Sequence, residues 1–174
     1  MTENTIRLSS LHDLLYLEAS RMLDAELVLL KQLNVWTDSC FSLKLKNILH
    51  KYAEVIGKNI TGIENFSGEE DSSSIPLENR AIAALVADIN EKLQYCNDSE
   101  IKDACLLAGI QSINHLKISV YGTAAAFAKI VATETDAAFF HEAEAREKQV
   151  DDRLSQLAEF EINQKARTPV VLTV

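Results

Sequence analysis

Between residues 100 and 133 the chain repeats apolar side chains at spacings of three and four without a single proline. The stripe reads Asp103, Leu107, Ile110, Asn114, Lys117, Tyr121, Ala124 and Ala128. A seam of that length fits one long helix packed inside a bundle, because a strand would need alternation instead. Asn114 and Lys117 interrupt its middle. A polar pair buried there is costly unless it is partnered. The centre of this seam is therefore where the chain's function, or a function it has lost, is to be sought.

The rest of the sequence agrees with a helical chain. With 174 residues it can bury a sizeable core as one domain. Only five glycines and two prolines break it, while 47% of residues are hydrophobic. No apolar run approaches the ~20 residues of a membrane span. Met1 to Arg7 is polar, unlike an export signal. A net charge of −9 disfavours nucleic acid and anionic membranes as partners. Cys40, Cys96 and Cys105 show no paired spacing, so reduced thiols in the cytoplasm are expected.

Five helical segments follow from the periodicity. The first spans roughly 9–36, capped by Ser9 or Ser10, with Leu11, Leu15, Ala19, Met22, Leu23, Glu26, Leu30 and Leu33 inward. Thr37-Asp38-Ser39 reads as the break before a second helix at about 39–66. Its seam is Phe41, Leu45, Ile48, Tyr52, Val55, Ile56, Asn59 and Ile63. So short a break forces an antiparallel hairpin. Residues 67–76 form an acidic, serine-rich linker, and Pro76 suits the first turn of a shorter third helix at about 77–95. Asp98 or Ser99 caps the fourth helix. Thr133 to Asp136 marks the next turn. A fifth helix runs to about 166 with Phe140, Ala143, Glu147, Val150, Leu154 and Leu157 inward, and 167–174 is a tail.

Two long hairpins joined by a crossover that holds a shorter helix point to an all-α, ferritin-like four-helix bundle forming a single domain. Such bundles build metal sites from carboxylates and histidines on facing helices. Glu26 and Glu147 are the carboxylates that face the centre, and Glu18 joins them if the first helix is rotated slightly. His50 and Glu54 stand four apart but lie off their seam and read as a solvated pair. His115 sits beside the seam, where a histidine bonded to a neighbour is the simpler reading than a ligand. His12 and His141 lie near helix ends and read as surface residues. Glu142, Glu144 and Glu159 read as a solvated face. No phosphate-binding loop, nucleophile elbow or zinc pattern is present.

Several stretches resemble the YciF/YciE group of bacterial ferritin-like proteins. They are Asp24-Ala25-Glu26 with Leu29-Leu30-Lys31-Gln32-Leu33, Ile101-Lys102-Asp103-Ala104 leading to Gln111, His115 and Tyr121-Gly122-Thr123, and Glu147 to Leu154. The resemblance covers about residues 8 to 160 and is strongest around 103–123. It implies a stress-associated bundle protein. It also implies a metal-ligand pattern that this chain lacks in part. Where the group carries a His and, three residues on, a Glu in the second helix, this chain has Tyr52 and Val55. Where the fourth helix carries two glutamates around a His-aromatic pair, this chain has Asn114 and Lys117 around His115 and Leu116.

Three placements of Lys117 are open. It can act as a built-in cation that neutralises Glu26 and Glu147, with Asn114 and Tyr52 supplying hydrogen bonds, in a polar centre that also takes in His115 and Tyr121. It can snorkel to a bundle edge. Or a reduced site made of Glu26, His115 and Glu147 still holds iron or manganese. The leading expectation is a non-catalytic bundle with a degenerate metal site and no cofactor, structural or protein-interacting in role. Its rival is a di-metal oxidoreductase. A binder of an apolar ligand along Ala124-Ala125-Ala126 is a third class, although small residues more often mean close helix packing. The consecutive Leu27, Val28, Leu29 and Leu30 cover every direction around the first helix. Either the crossover helix or a second subunit must cover the excess, and a homodimer is expected.

Overall fold

The computed structural model describes residues 7–68 and 78–167. Every regular element among the described residues is helical, in the order α1 (Leu11–Ser39), α2 (Leu43–Ser67), α3 (Arg80–Tyr95), α4 (Ser99–Val131) and α5 (Glu134–Leu157). A π-helical turn, Ala158–Ile162, and the short α6, Asn163–Ala166, extend α5. α1 pairs with α2, and α4 pairs with α5. α1 also packs on α4, and α2 on α5, which closes the four-helix core; α3 lies across α1 and α4. The expected all-α, ferritin-like bundle of two hairpins with a fifth, shorter helix is the fold found.

The helix starts have local causes. Ser10 Oγ accepts the Asp13 amide at 3.1 Å, and Asp13 Oδ2 accepts the Ser10 amide at 3.0 Å, a reciprocal capping box. The Ser9 backbone and hydroxyl also donate to Asp13, and with Ser10 they hold its carboxyl down to about 2. Asp98 caps α4 through the Glu100 and Ile101 amides. Thr133 and Asp136 form a second capping box, so the turn expected at 133–136 already belongs to the start of α5.

Two boundaries differ from the sequence reading. α1 continues through Thr37-Asp38-Ser39, and the break falls at residues 40–42. Thr37 is buried in that last turn, and the Trp36 indole donates to Asn90 Oδ1 of α3 at 2.8 Å, which holds the turn helical. The next start is then set from outside the segment. Asp103 of α4 accepts the Phe41 amide at 2.9 Å and the Ser42 amide at 2.6 Å, while Ser42 Oγ caps α2. Phe41, expected inward, is consequently outside the helix and 67% exposed. The α2 seam runs instead through Leu45, Leu49, Tyr52, Ile56, Asn59, Ile63 and Phe66, with Ile48 and Val55 half-buried at its edges.

α3 starts at Arg80 rather than at residue 77. Asn79 is its cap, accepting from the Ile82 amide, and its own amide is fixed by Asp24 of α1 at 2.7 Å. Most of the expected linker, Pro76, and the tail beyond Arg167 lie outside the described residues. The α4 and α5 seams are buried along the whole of the expected stripes. Ala124 and Ala125 are buried in close helix packing, while Ala126 is exposed. Among the described residues no helix is long and apolar enough to cross a membrane.

Candidate functional site: a buried lysine between two glutamates

One polar layer crosses the core at mid-height. α1 contributes Glu26, α2 contributes Tyr52 and Asn59, α4 contributes Asn114, Lys117 and Tyr121, and α5 contributes Glu147. All seven side chains are buried. They meet because each helix presents them at seam spacing: Asn114, Lys117 and Tyr121 follow one another by three and four, and Tyr52 and Asn59 by seven.

Lys117 stands at the centre of this layer. Its Nζ lies 2.8 Å from Glu26 Oε2, 2.8 Å from Glu147 Oε1 and 3.1 Å from Tyr52 Oη. Tyr52 and Glu147 accept hydrogen bonds from the ammonium, and Glu26 faces it as an ion pair. The charge also sits 4.7 Å from the centroid of the Tyr52 ring. Of the open placements, the edge position is therefore overturned: Lys117 is fully buried, because Glu26 and Glu147 approach from opposite hairpins.

The carboxylates are held as firmly. Tyr121 Oη donates to Glu26 Oε1 at 2.5 Å, and Tyr52 Oη donates to Glu147 Oε2 at 2.8 Å. Asn59 Nδ2 bridges the two acids, donating to Glu26 Oε1 and Glu147 Oε1 at 3.0 Å each. Asn114 Nδ2 donates to Glu147 Oε2 at 2.8 Å and to the Glu147 backbone carbonyl at 3.1 Å. Three of the four carboxylate oxygens thus accept a hydrogen bond; Glu26 Oε2 has its ion pair with Lys117 alone, and Asn114 Oδ1 is buried without a hydrogen-bond partner. Half-buried Arg146 lies behind Asn59, and its Nε donates to Asn59 Oδ1 at 3.1 Å. Two anions therefore face one cation directly and a second through an amide.

Burial shapes the titration of this layer. Desolvation pushes the Glu26 carboxyl up, and the Lys117 ammonium beside it only partly offsets this. Desolvation alone would depress the Lys117 ammonium, but the Glu147 and Glu26 anions outweigh it and hold the group above its ordinary range. Tyr52 and Tyr121 are both driven well above the usual phenol range, by burial first and then by the facing carboxylates. At neutral pH the lysine is charged and both phenols are donors.

The remaining candidates fall outside this layer. His115 was expected among the residues of the polar centre and is not part of it. One residue on from Asn114, it is turned about 100° around the helix, is exposed, and pairs with Asp151 Oδ1 at 2.8 Å. Glu18 is half-buried and takes no part in the layer's hydrogen bonds. His50 and Glu54 are exposed, as is His141; His12 is half-buried, its ring 4.6 Å from that of Tyr16. Asn59 and Arg146 were not singled out from sequence as members of the site. Asn59 carried a signal, since it lies two turns past Tyr52 on the same seam. Arg146 carried none beyond its place next to Glu147. Among the described residues no group of three or more His, Cys, Asp and Glu lies close enough to hold a metal ion.

Comparison with known proteins agrees with the fold and with the sequence motifs. The chain is 29% identical over 124 residues to protein YciF of Escherichia coli (strain K12), covering 71% of this chain and 75% of that one. The crystal structure of the E. coli stress protein YciF superposes with a TM-score of 0.80 at 24% identity, covering 90% of this chain and 99% of the other. YcfI from Rhodopseudomonas palustris gives a TM-score of 0.80 at 21% identity, covering 89% and 97%. Residues 10–167 match the family described as a domain of unknown function, DUF892, and the chain belongs to that family, the YciF-type ferritin-like proteins.

Proposed function

We propose that this protein is a non-catalytic, ferritin-like bundle in which the Lys117 ammonium takes the place of a metal. The observation that carries the reading is the position of that ammonium, buried between the two glutamates and 2.8 Å from a carboxylate oxygen of each.

The donor set does not fit a dinuclear centre. Such a centre needs about four carboxylates and two histidines. This layer offers two carboxylates, no histidine, and an ammonium that repels any incoming cation. The residual ligand set of Glu26, His115 and Glu147 is not available, because His115 faces outward.

The polar layer ties all four core helices together through buried ion pairs and hydrogen bonds. That supports a structural or protein-interacting role, in the cytoplasm. The description of YcfI also proposes a structural role, and E. coli YciF is described as a stress protein. We extend both to this chain as a stress-associated structural role.

Elemental analysis of protein purified without chelator tests the reading. Iron, manganese and zinc should each fall far below one equivalent. Stoichiometric metal that disappears in Glu26→Gln or Glu147→Gln would overturn it and favour the oxidoreductase alternative. Lys117→Glu is the reverse experiment, since it restores a carboxylate where the family carries one; manganese should stabilise that variant and leave the native chain unchanged.

A further inference from the structure

The ring of four core helices has two edges where one hairpin meets the other. α3 covers one of them by lying across α1 and α4. The opposite edge, between α2 and α5, has no helix over it among the described residues. The two helices run antiparallel there: Lys44 pairs with Glu161, Asn59 accepts from Arg146, and Gly62 meets the Phe139 ring. Helical spacing sets Lys44, Ile48, Lys51, Val55 and Lys58 of α2 along this edge, opposite Arg146, Arg153 and Phe160. Lys51, Lys58 and Arg153 are exposed and have no ion-pair partner among the described residues, while Ile48 and Val55 are half-buried between them. Phe160, in the π-helical turn, is 74% exposed. A cleft of about 430 Å³ opens at that end between Lys44, Ile48, Arg153, Leu157 and Phe160.

The charge of this edge runs against the balance of the chain, which holds 26 acids and 17 lysines and arginines. The acids on the edge are Glu142, paired with Arg146, and Glu161, paired with Lys44 and Lys165. Glu54 stands about 60° round α2 from Lys51, on the side away from α5, and Asp152 about 100° round α5 from Arg153. Cations set beside apolar side chains suit a partner that carries both carboxylates and apolar groups. From Lys44 to Lys58 the stripe spans about 21 Å of helix. The groove across α1 and α4 is already filled by a helix, α3, whose Ile82 and Ile89 are buried. The α2–α5 groove offers a second helix a similar seat, with cations along both rims. A nucleic acid or an anionic membrane extends far past the groove and meets the repulsion of a chain with net charge −9, whereas a short helix does not.

We propose that the α2–α5 edge is a docking surface for an acidic amphipathic helix of a partner protein. The apolar face of that helix lies along Ile48, Val55 and Phe160, and its carboxylates pair with Lys51, Lys58 and Arg153. The surface rests on the protein-interacting role proposed above and names the class of partner. Lys51 and Arg153 stand outside the buried Lys117 layer, so partner binding and metal content are separate readouts.

Fluorescence anisotropy of the full-length chain with a labelled synthetic helix tests this. The probe has roughly 20 residues, enough to follow the edge, with leucine along one face and glutamate on both sides of it. It should bind, and Lys51→Glu with Arg153→Glu should weaken binding at least about tenfold. The milder pair Lys51→Gln with Arg153→Gln should weaken it at least about threefold. Lys31→Glu with Lys129→Glu, exposed on α1 and α4, changes the net charge equally and should cost less than about twofold. A counterpart helix with lysine in place of glutamate should not bind. Absence of binding at about 100 μM, equal losses in the two glutamate pairs, or binding of the lysine counterpart would overturn the proposal. Equally tight binding of a DNA duplex or of phosphatidylglycerol vesicles, lost in the Lys51 and Arg153 variants, would overturn it in favour of a nucleic acid or a membrane.

Discussion

Replacing Lys117 by methionine removes the charge at the bundle centre while keeping most of the side-chain volume, so that the effect read is electrostatic rather than a cavity. Lys117, Glu26 and Glu147 are each 0% exposed, and water cannot screen the carboxylates left behind. Breaking a buried pair by removing one partner typically costs ~3–5 kcal/mol. A domain of this size has roughly 5–15 kcal/mol of stability in total, so the variant should lose a large share of it near neutral pH. The pH dependence has a definite sign. Glu26 is already raised above its ordinary 4.5 by burial, and Lys117 is the strongest influence lowering it. Without the lysine its value climbs further. A carboxyl raised in the folded state favours folding when protonated, and that contribution is lost as pH rises through the folded value. The penalty of Lys117→Met should therefore be full near neutrality and shrink in mildly acidic buffer, about pH 5. In the native chain the raised Lys117 ammonium contributes fully below its ordinary 10.5 and fades only as pH rises through its elevated folded value. Urea melts of the native chain, Lys117→Met, Glu26→Gln and the double variant, at both pH values, give the measurement. Glu26→Gln should recover roughly 1–3 kcal/mol in the methionine background, because only one carboxylate then lacks its cation. A loss below ~1 kcal/mol for Lys117→Met at neutral pH would refute the reasoning, since that is the scale of an exposed pair.

Three further outcomes are expected. Asp103→Ala should cost about 1–2 kcal/mol in denaturant melts, because the Phe41 and Ser42 amides lose their acceptor at the start of α2; Asp103→Asn should recover part of it. Gly62→Ala should cost about 1–3 kcal/mol, since its Cβ would stand 1.9 Å from the Phe139 ring of α5 and force that ring aside; a neutral melt would show that Phe139 moves freely. Sedimentation at micromolar concentration should find a homodimer: α3 lies against α1, yet Leu27 and Val35 of α1 stay 50% and 59% exposed. Aspartate at both positions should shift the species to monomer, and a native chain that is monomeric at high loading would refute the assignment.

The periodicity of α4 and α5 was sufficient to place Asn114, Lys117, Tyr121 and Glu147 on buried seams, because the face a helical residue occupies depends only on its position along its own helix. The same logic found Glu26 and Tyr52, and the order of long and short helices led to the ferritin-like bundle. Where a choice depended on a distant partner, local signals failed. Thr37-Asp38-Ser39 and Ser42 are both plausible caps by composition. Asp103, in a different hairpin, selects the second by binding two amides there, and Phe41 is turned out to solvent as a result. Asn59 could be placed on its seam, but its role as the bridge between two carboxylates exists only once α1 and α5 meet across it. The same holds for Arg146 behind Asn59. Whether Lys117 reached solvent or was enclosed lay equally beyond the sequence. A single helix presents a lysine to a seam in the same way in either case, and only the approach of Glu26 and Glu147 from opposite hairpins makes burial of the charge tolerable.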